Sequence, residues 1–327
     1  MKRLVFIFSI VLLIPLGLSS QTYEQYTLWN QNHYLLNPAA AGNLEYLEIA
    51  TGLRRQWAGI KDAPSSYYAT GHTVLNRPKT HQLSALRIST TARSKFYKAR
   101  KNLRPYLKHA LGGQIATHEF GAFKKTEANL SYAIHLPMNN DIYWSFGVTA
   151  GLSNFGFDEG RANVLNSGDQ VYEAYASGET TNKFNSNAGT YVYSDDFYVG
   201  YSAHQLLQNK LDIADIETTT EEATLTMRHY AMPGYHFYLT QDLKLTPNML
   251  IKMVESQPMN IEFGGTLTFA DAIYGGFNYR GEDAISIIAG AEIKRIFKIG
   301  YAFDYTTSEI SESASGSHEI FLGFTLF

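Results

Sequence analysis

The stretch that decides the fold is residues 128–153, ANLSYAIHLPMNNDIYWSFGVTAGLS. In its first half Ala128, Leu130, Tyr132, Ile134 and Leu136 alternate with Asn129, Ser131, Ala133 and His135. Pro137-Met138-Asn139-Asn140-Asp141 supplies a polar turn. In the second half Ile142, Trp144, Phe146, Val148, Ala150 and Leu152 alternate with Tyr143, Ser145, Gly147, Thr149, Gly151 and Ser153. A two-residue period over this length specifies strands, one face apolar and the other small or polar. Strands of soluble domains are usually about 5–6 residues long. A strand that crosses a bilayer needs roughly 9–11, with this alternation.

The same pattern recurs along the chain. It is read at 47–57, 65–75, 109–119, 127–136, 142–153, 184–193, 197–204, 229–239, 243–254, 260–269, 273–280, 284–294, 297–306 and 318–327. The expected fold is all-β: a transmembrane antiparallel barrel of about fourteen strands, an even number as in single-chain bacterial barrels. Composition agrees. Tyr (23), Phe (19) and Gly (26) are abundant, and charged residues make up only 17%, against the roughly 25% usual for soluble domains. A mean hydropathy of −0.21 does not oppose the membrane, because half of each strand faces inward. Charges recur on the inward faces: Lys244, Lys252, Glu262, Arg280, Glu292, Lys294, Lys298 and Asp304. Lys or Arg turned to lipid at mid-depth would cost roughly 2–4 kcal/mol.

Lys2 and Arg3 followed by the apolar run 4–18 and Ser19-Ser20 read as a signal peptide over residues 1–20. Residues 21–46 lack clean alternation and are expected to form an irregular or briefly helical periplasmic segment, with Tyr23, Tyr26, Trp29 and Tyr34 packing against the barrel end. Residues 47–327 then form the barrel, with both termini periplasmic. Short turns at 139–141, 194–196, 240–242, 270–272 and 294–296 all fall on one side. Longer loops at 154–183, 205–228 and 307–317 fall on the other, which outer-membrane barrels present outside the cell. The chain has no cysteine, which excludes disulfides and thiolate metal sites.

Between residues 76 and 108 the character changes. Ten Lys and Arg residues fall in 77–108 and no Asp or Glu. The segment reads as a basic periplasmic insertion. Arg93, Lys95, Lys98, Arg100, Lys101, Arg104 and Lys108 are the candidate contacts for an acidic partner, since clustered charge steers association. A loop that only assists orientation is the competing reading. No phosphate-binding loop, nucleophile elbow or zinc-protease motif occurs. His229 and His236 are seven apart and so lie on opposite faces of one strand. No enzyme activity, cofactor, metal or nucleic-acid partner is expected.

Several blocks resemble the PorP/SprF family of Bacteroidetes type IX secretion and gliding-motility outer-membrane proteins. The first is Asn37-Pro38-Ala39 with Gly42. The second is Arg54-Arg55-Gln56-Trp57-Ala58-Gly59-Ile60 followed by Ala63-Pro64, similar to the family's YRxQWxGIxGAP, with Leu53 and Asp62 departing from it. Residues 131–137 (SYAIHLP), 197–202 (FYVGYS) and 228–230 (RHY) match later blocks. The resemblance implies a non-enzymatic outer-membrane barrel. It would support secretion or surface anchoring of an adhesin or other cargo, with type IX secretion components, a secreted surface protein and outer-membrane lipid as partners. It marks Asn37, Pro38, Gly42, Arg54, Gln56, Trp57, Gly59 and Pro64 as family-motif residues. The alternative function is a porin or hydrophobic-solute transporter.

Overall fold

The computed structural model describes residues 24–44, 46–76, 105–162, 181–209, 225–255, 257–281 and 283–326. Its strands are β1 (Leu47–Arg55), β2 (Ser65–Val74), β3 (Lys108–Phe120), β4 (Phe123–Pro137), β5 (Tyr143–Phe157), β6 (Thr181–Tyr193), β7 (Phe197–His204), β8 (Arg228–Tyr235), β9 (Phe237–Tyr238), β10 (Leu243–Val254), β11 (Asn260–Phe269), β12 (Ile273–Arg280), β13 (Ala284–Ile293), β14 (Phe297–Thr306) and β15 (Ser317–Leu326). Each pairs antiparallel with its neighbour, and β1 pairs with β15 from Leu47↔Leu326 to Arg55↔His318. β8 and β9 are halves of one stave broken at His236, and both pair with β10. The result is a closed barrel of fourteen staves.

The deciding hairpin shows why the sheet closes. On β4 the outward residues Ala128, Leu130, Tyr132 and Leu136 are exposed, while Glu127, Asn129, Ser131, Ala133 and His135 are buried. On β5 Trp144, Phe146, Val148 and Leu152 are exposed, and Ser145, Thr149 and Ser153 are buried. Apolar out and polar in is the reverse of a soluble domain, and it suits lipid outside. No sheet edge remains for the hydrocarbon to leave unsatisfied. Histidines that face outward are also satisfied. His109 Nδ1 meets the Tyr132 hydroxyl at 2.6 Å, His229 meets Tyr201 at 2.8 Å and His318 meets Tyr301 at 2.7 Å.

Two sequence expectations change. Lys294 is exposed and sits in the β13–β14 turn with a positive φ of 51°, outside the lumen. Short connections also occur at both ends of the barrel. Residues 121–122 and 281–283 close hairpins at the end that carries the longer loops. The first is possible because Gly121 adopts a φ of +58°, which a two-residue hairpin requires. The two ends are the turn end (138–142, 194–196, 239–242) and the loop end (56–64, 121–122, 158–162, 205–209).

One seam of the wall is short of donors. His236 N–H donates to the Asp196 carbonyl at 2.6 Å, toward β7. Alternate residues of the stave, Pro233 and Tyr235 among them, therefore turn toward β10. Pro233 stands opposite Met249, and Pro247 opposite Tyr235. Each proline lacks the N–H that its place in the ladder calls for. Amides flanking this seam, such as Tyr235 and Met249, should exchange hydrogen at least tenfold faster than Tyr132 and Val148 of the unbroken β4–β5 seam. Equal protection by mass spectrometry would refute the weakness.

Candidate functional site

The lumen is not empty. Residues 24–44 run through it from the loop end to the turn end in three short 3-10 turns, Trp29–Gln31, His33–Leu35 and Pro38–Ala40. Leu28, Trp29, Leu35 and Ala39 are buried, with Trp29 at 0% exposure. This departs from the expected periplasmic segment. The apolar side chains of 26–41 need cover, and the lumen supplies it. The inward strand faces also offer polar partners for the segment's own backbone. Residue 24 lies at the loop end and β1 begins at the turn end, so the described start and end of the chain lie at opposite ends of the barrel.

At the loop end the segment completes a buried charge network. Arg54 of β1 pairs with Asp304 of β14 at 2.6 Å and Glu319 of β15 at 3.4 Å. Arg280 of β12 pairs with Glu262 of β11 at 2.9 Å and Asp304 at 3.4 Å. Thr27 sits among them. Its N–H donates to Glu319 at 2.6 Å, and its hydroxyl donates to Asp304 and accepts from Arg54 at 2.8 Å and Arg280 at 3.1 Å. The Trp29 indole donates to Glu262 at 3.0 Å. Beside this network Glu24 binds Lys125 at 2.9 Å and Arg228 at 2.6 Å, with Glu127 on the other side of Lys125 at 2.9 Å. Glu24, His118 and Glu127 approach closely enough to suggest a metal cluster. The Lys125 ammonium already bridges the two carboxylates.

Farther along, the wall grips the segment's backbone. The Leu36 carbonyl accepts from Ser202 at 2.6 Å and His204 at 2.8 Å, the Ala41 carbonyl from His135 at 2.7 Å, and the Ala39 carbonyl from Ser145. Two glycines make room. A Cβ at Gly147 would collide with the backbone of Pro38 and Ala39, and one at Gly189 with the Asn37 side chain. Asn37 caps its own turn by accepting from Ala39 N–H at 3.0 Å, with Pro38 at the first position, where its missing donor costs nothing.

The segment divides the lumen. On its turn-end side lies a cavity of about 370 Å³. Asn30, Gln31, Asn32, His33 and Tyr34 form its floor, held by Asn30–Thr266 (3.0 Å), Asn32–Thr70 (2.8 Å), His33–Tyr191 (2.8 Å) and Tyr34–Ser131 (2.9 Å). Tyr143, Tyr191, Tyr193, Tyr198 and Tyr238 line its wall, and Asp141, Asp195, Lys244 and Lys298 lie toward the rim. Lys298 pairs with Glu48 at 3.6 Å.

The family-motif residues converge. Asn37, Pro38 and Gly42 belong to segment 24–44, which plugs the lumen, and Arg54 binds Thr27 of this plug. Gln56 donates to Gln25 at 3.1 Å, and its N–H meets the Pro64 carbonyl at 2.9 Å. Trp57 N–H donates to Ser317 at 3.1 Å, and Gly59 takes a φ of +101° in the same loop. Arg93, Lys95, Lys98, Arg100, Lys101 and Arg104 lie outside the described residues. Lys108 departs from the expected docking surface. It is buried, with its ammonium 4.1 Å from the centre of the Tyr143 ring. The cavity had no signal in the sequence, because its walls come from staves far apart in the chain.

No curated protein matches the chain. Among solved structures it is similar to the outer membrane protein Omp33 of Acinetobacter baumannii, at 9% identity and a TM-score of 0.41, over 86% of this chain and 99% of that one. A Pseudomonas aeruginosa FadL homologue matches at 9% identity and a TM-score of 0.45, over 88% and 91%. The Pseudomonas putida toluene transporter TodX matches at 6% and 0.45, over 94% and 95%. Likenesses this distant carry no argument about cargo or mechanism. The profile of the type IX secretion system membrane protein PorP/SprF matches residues 18–324, nearly the whole chain. With its closed, lipid-facing barrel and plugged lumen, the protein is an outer-membrane β-barrel that belongs to the PorP/SprF family of type IX secretion system membrane proteins.

Proposed function

We propose that this barrel is a non-enzymatic docking or anchoring component that supports secretion or surface retention of a partner protein through the type IX system. The observation that carries the reading beyond family membership is the plug. A lumen crossed by a segment bonded at both ends suits a platform for another protein better than a diffusion porin or a solute transporter. The turn end, where β2 ends and β3 begins, is read as periplasmic, and the basic sequence 77–104 joins those two strands. The segment is proposed to attract an acidic partner by long-range charge.

Deleting the gene should remove one or a few type IX cargo proteins from the cell surface while general secretion continues. Quantitative surface proteomics of the deletion strain measures this. Replacing Lys98, Arg100, Lys101 and Arg104 with Gln should leave the barrel assembled and reproduce part of the same loss. An unchanged surface proteome in the deletion strain would end the secretion reading. Loss of every cargo would mark a core component instead.

A further inference from the structure

We propose that the turn-end cavity is a blind pocket that binds the tip of a polypeptide, the point at which the partner of the proposed docking function is recognised. The proposal rests on that reading for the partner's identity, and on the pocket alone for the chemistry.

The floor makes the pocket blind. Asn30, Asn32, His33 and Tyr34 are each tied to the wall by a side-chain hydrogen bond. The plug continues below them into the buried Arg54–Asp304 and Arg280–Glu262 pairs. A molecule entering from the turn end therefore stops at the floor, and the site is built for holding, not for passage. At about 370 Å³ the cavity is at the small end of the roughly 300–1,000 Å³ of ligand pockets.

Its lining identifies the class of ligand. Tyrosines form the wall and side-chain amides the floor. This is the composition of surfaces that bind peptides: Tyr gives large amphipathic area at low entropy cost, and Asn gives adaptable hydrogen bonds. The tyrosines are preorganised. Tyr143 and Tyr193 stack at 5.6 Å, Tyr191 and Tyr198 at 6.1 Å, and His33 lies 4.4 Å from Tyr198. On the floor His33 uses Nδ1 for Tyr191, while its buried Nε2 has no hydrogen-bond partner. Lys244 lines the same wall and forms no ion pair among the described residues. Charges of both signs near the rim (Asp141, Lys244) suit the opposite charges that a polypeptide's termini and side chains carry.

The test uses the full-length barrel purified in detergent, with a displayed random heptapeptide library as the probe. Selection should enrich peptides that bind the wild-type barrel. Leu44→Trp, which fills the cavity from its edge, and Tyr238→Ala, which removes an exposed wall residue, should each weaken their binding at least tenfold. Neither position touches the charge network, and an unchanged heat-modifiable band checks that both variants are folded. The proposal is overturned if no peptide is enriched over a barrel blocked by Leu44→Trp. It is also overturned if enriched peptides bind both variants as well as wild type, or if soluble glycan fragments bind in the cavity and peptides do not. These readouts use no secreted cargo, so failure of the pocket and failure of the secretion reading are separate results.

Discussion

Arg280→Met should unfold at a markedly lower temperature than wild type, with a loss of about 3–5 kcal/mol. Arg280 is fully buried and holds Glu262 at 2.9 Å and Asp304 at 3.4 Å. Methionine fills similar space and leaves the Glu262 carboxylate buried without its cation. The Trp29 and Asn278 donors that remain, each 3.0 Å from Glu262, are too weak to neutralise it. The double variant Arg280→Met/Glu262→Gln removes both charges and should recover a large part of the loss, because a buried pair is worth little against a well-packed neutral replacement. The temperature at which the folded band disappears in gel-shift assays measures both. Equal temperatures for wild type and the single variant would show that the network does not hold the barrel.

The second large effect is expected at Gly147. Its neighbour in the lumen is the plug backbone, and no side chain is there to swing away. Gly147→Val must push Pro38 and Ala39 out of their notch, and it breaks the bond from Ser145 to the Ala39 carbonyl. Overpacking alone costs about 1–3 kcal/mol, and the plug holds at this point by only a few such contacts. The variant should therefore remain a barrel but gain protease cleavage within residues 30–41 and steady conductance in planar bilayers. Gly113→Ala is the control, since a Cβ there meets nothing nearer than 3.7 Å. A non-conducting, protease-resistant Gly147→Val barrel would show that the plug does not seal the lumen.

What was legible in the sequence follows from the range of each signal. Outward and inward faces are a local, two-residue signal, so the alternation of Leu130 and Ser131 or Val148 and Thr149 gave the barrel and its lipid face directly. Inward charges such as Arg280 and Asp304 were legible for the same reason. Their pairing was not, because it depends on which staves meet across the lumen. The plug was illegible because its turns have no long period, and its partners are single side chains on staves 27 to 292 residues away. Asn37-Pro38-Ala39 stood out only through the family resemblance, and its reason appeared once Gly147 and Gly189 were seen to receive it. Lys294 was misplaced by extending the two-residue period one step too far, into a turn where the backbone reverses.

The placement of Thr27 bears on how the cylinder is made. Arg54 belongs to the first strand and Glu319 to the last, and Thr27 hydrogen-bonds to both across the line where the sheet closes. Residues just ahead of the first strand thus latch the last strand in place. Without β15 the Thr27 and Leu28 amides would lose their shared acceptor, Glu319. A cylinder closed without Thr27 would bury Arg54, Arg280, Asp304 and Glu319 short of the hydrogen bonds that Thr27 supplies. The line where the cylinder closes is therefore held from inside the lumen as well as by the β1–β15 ladder.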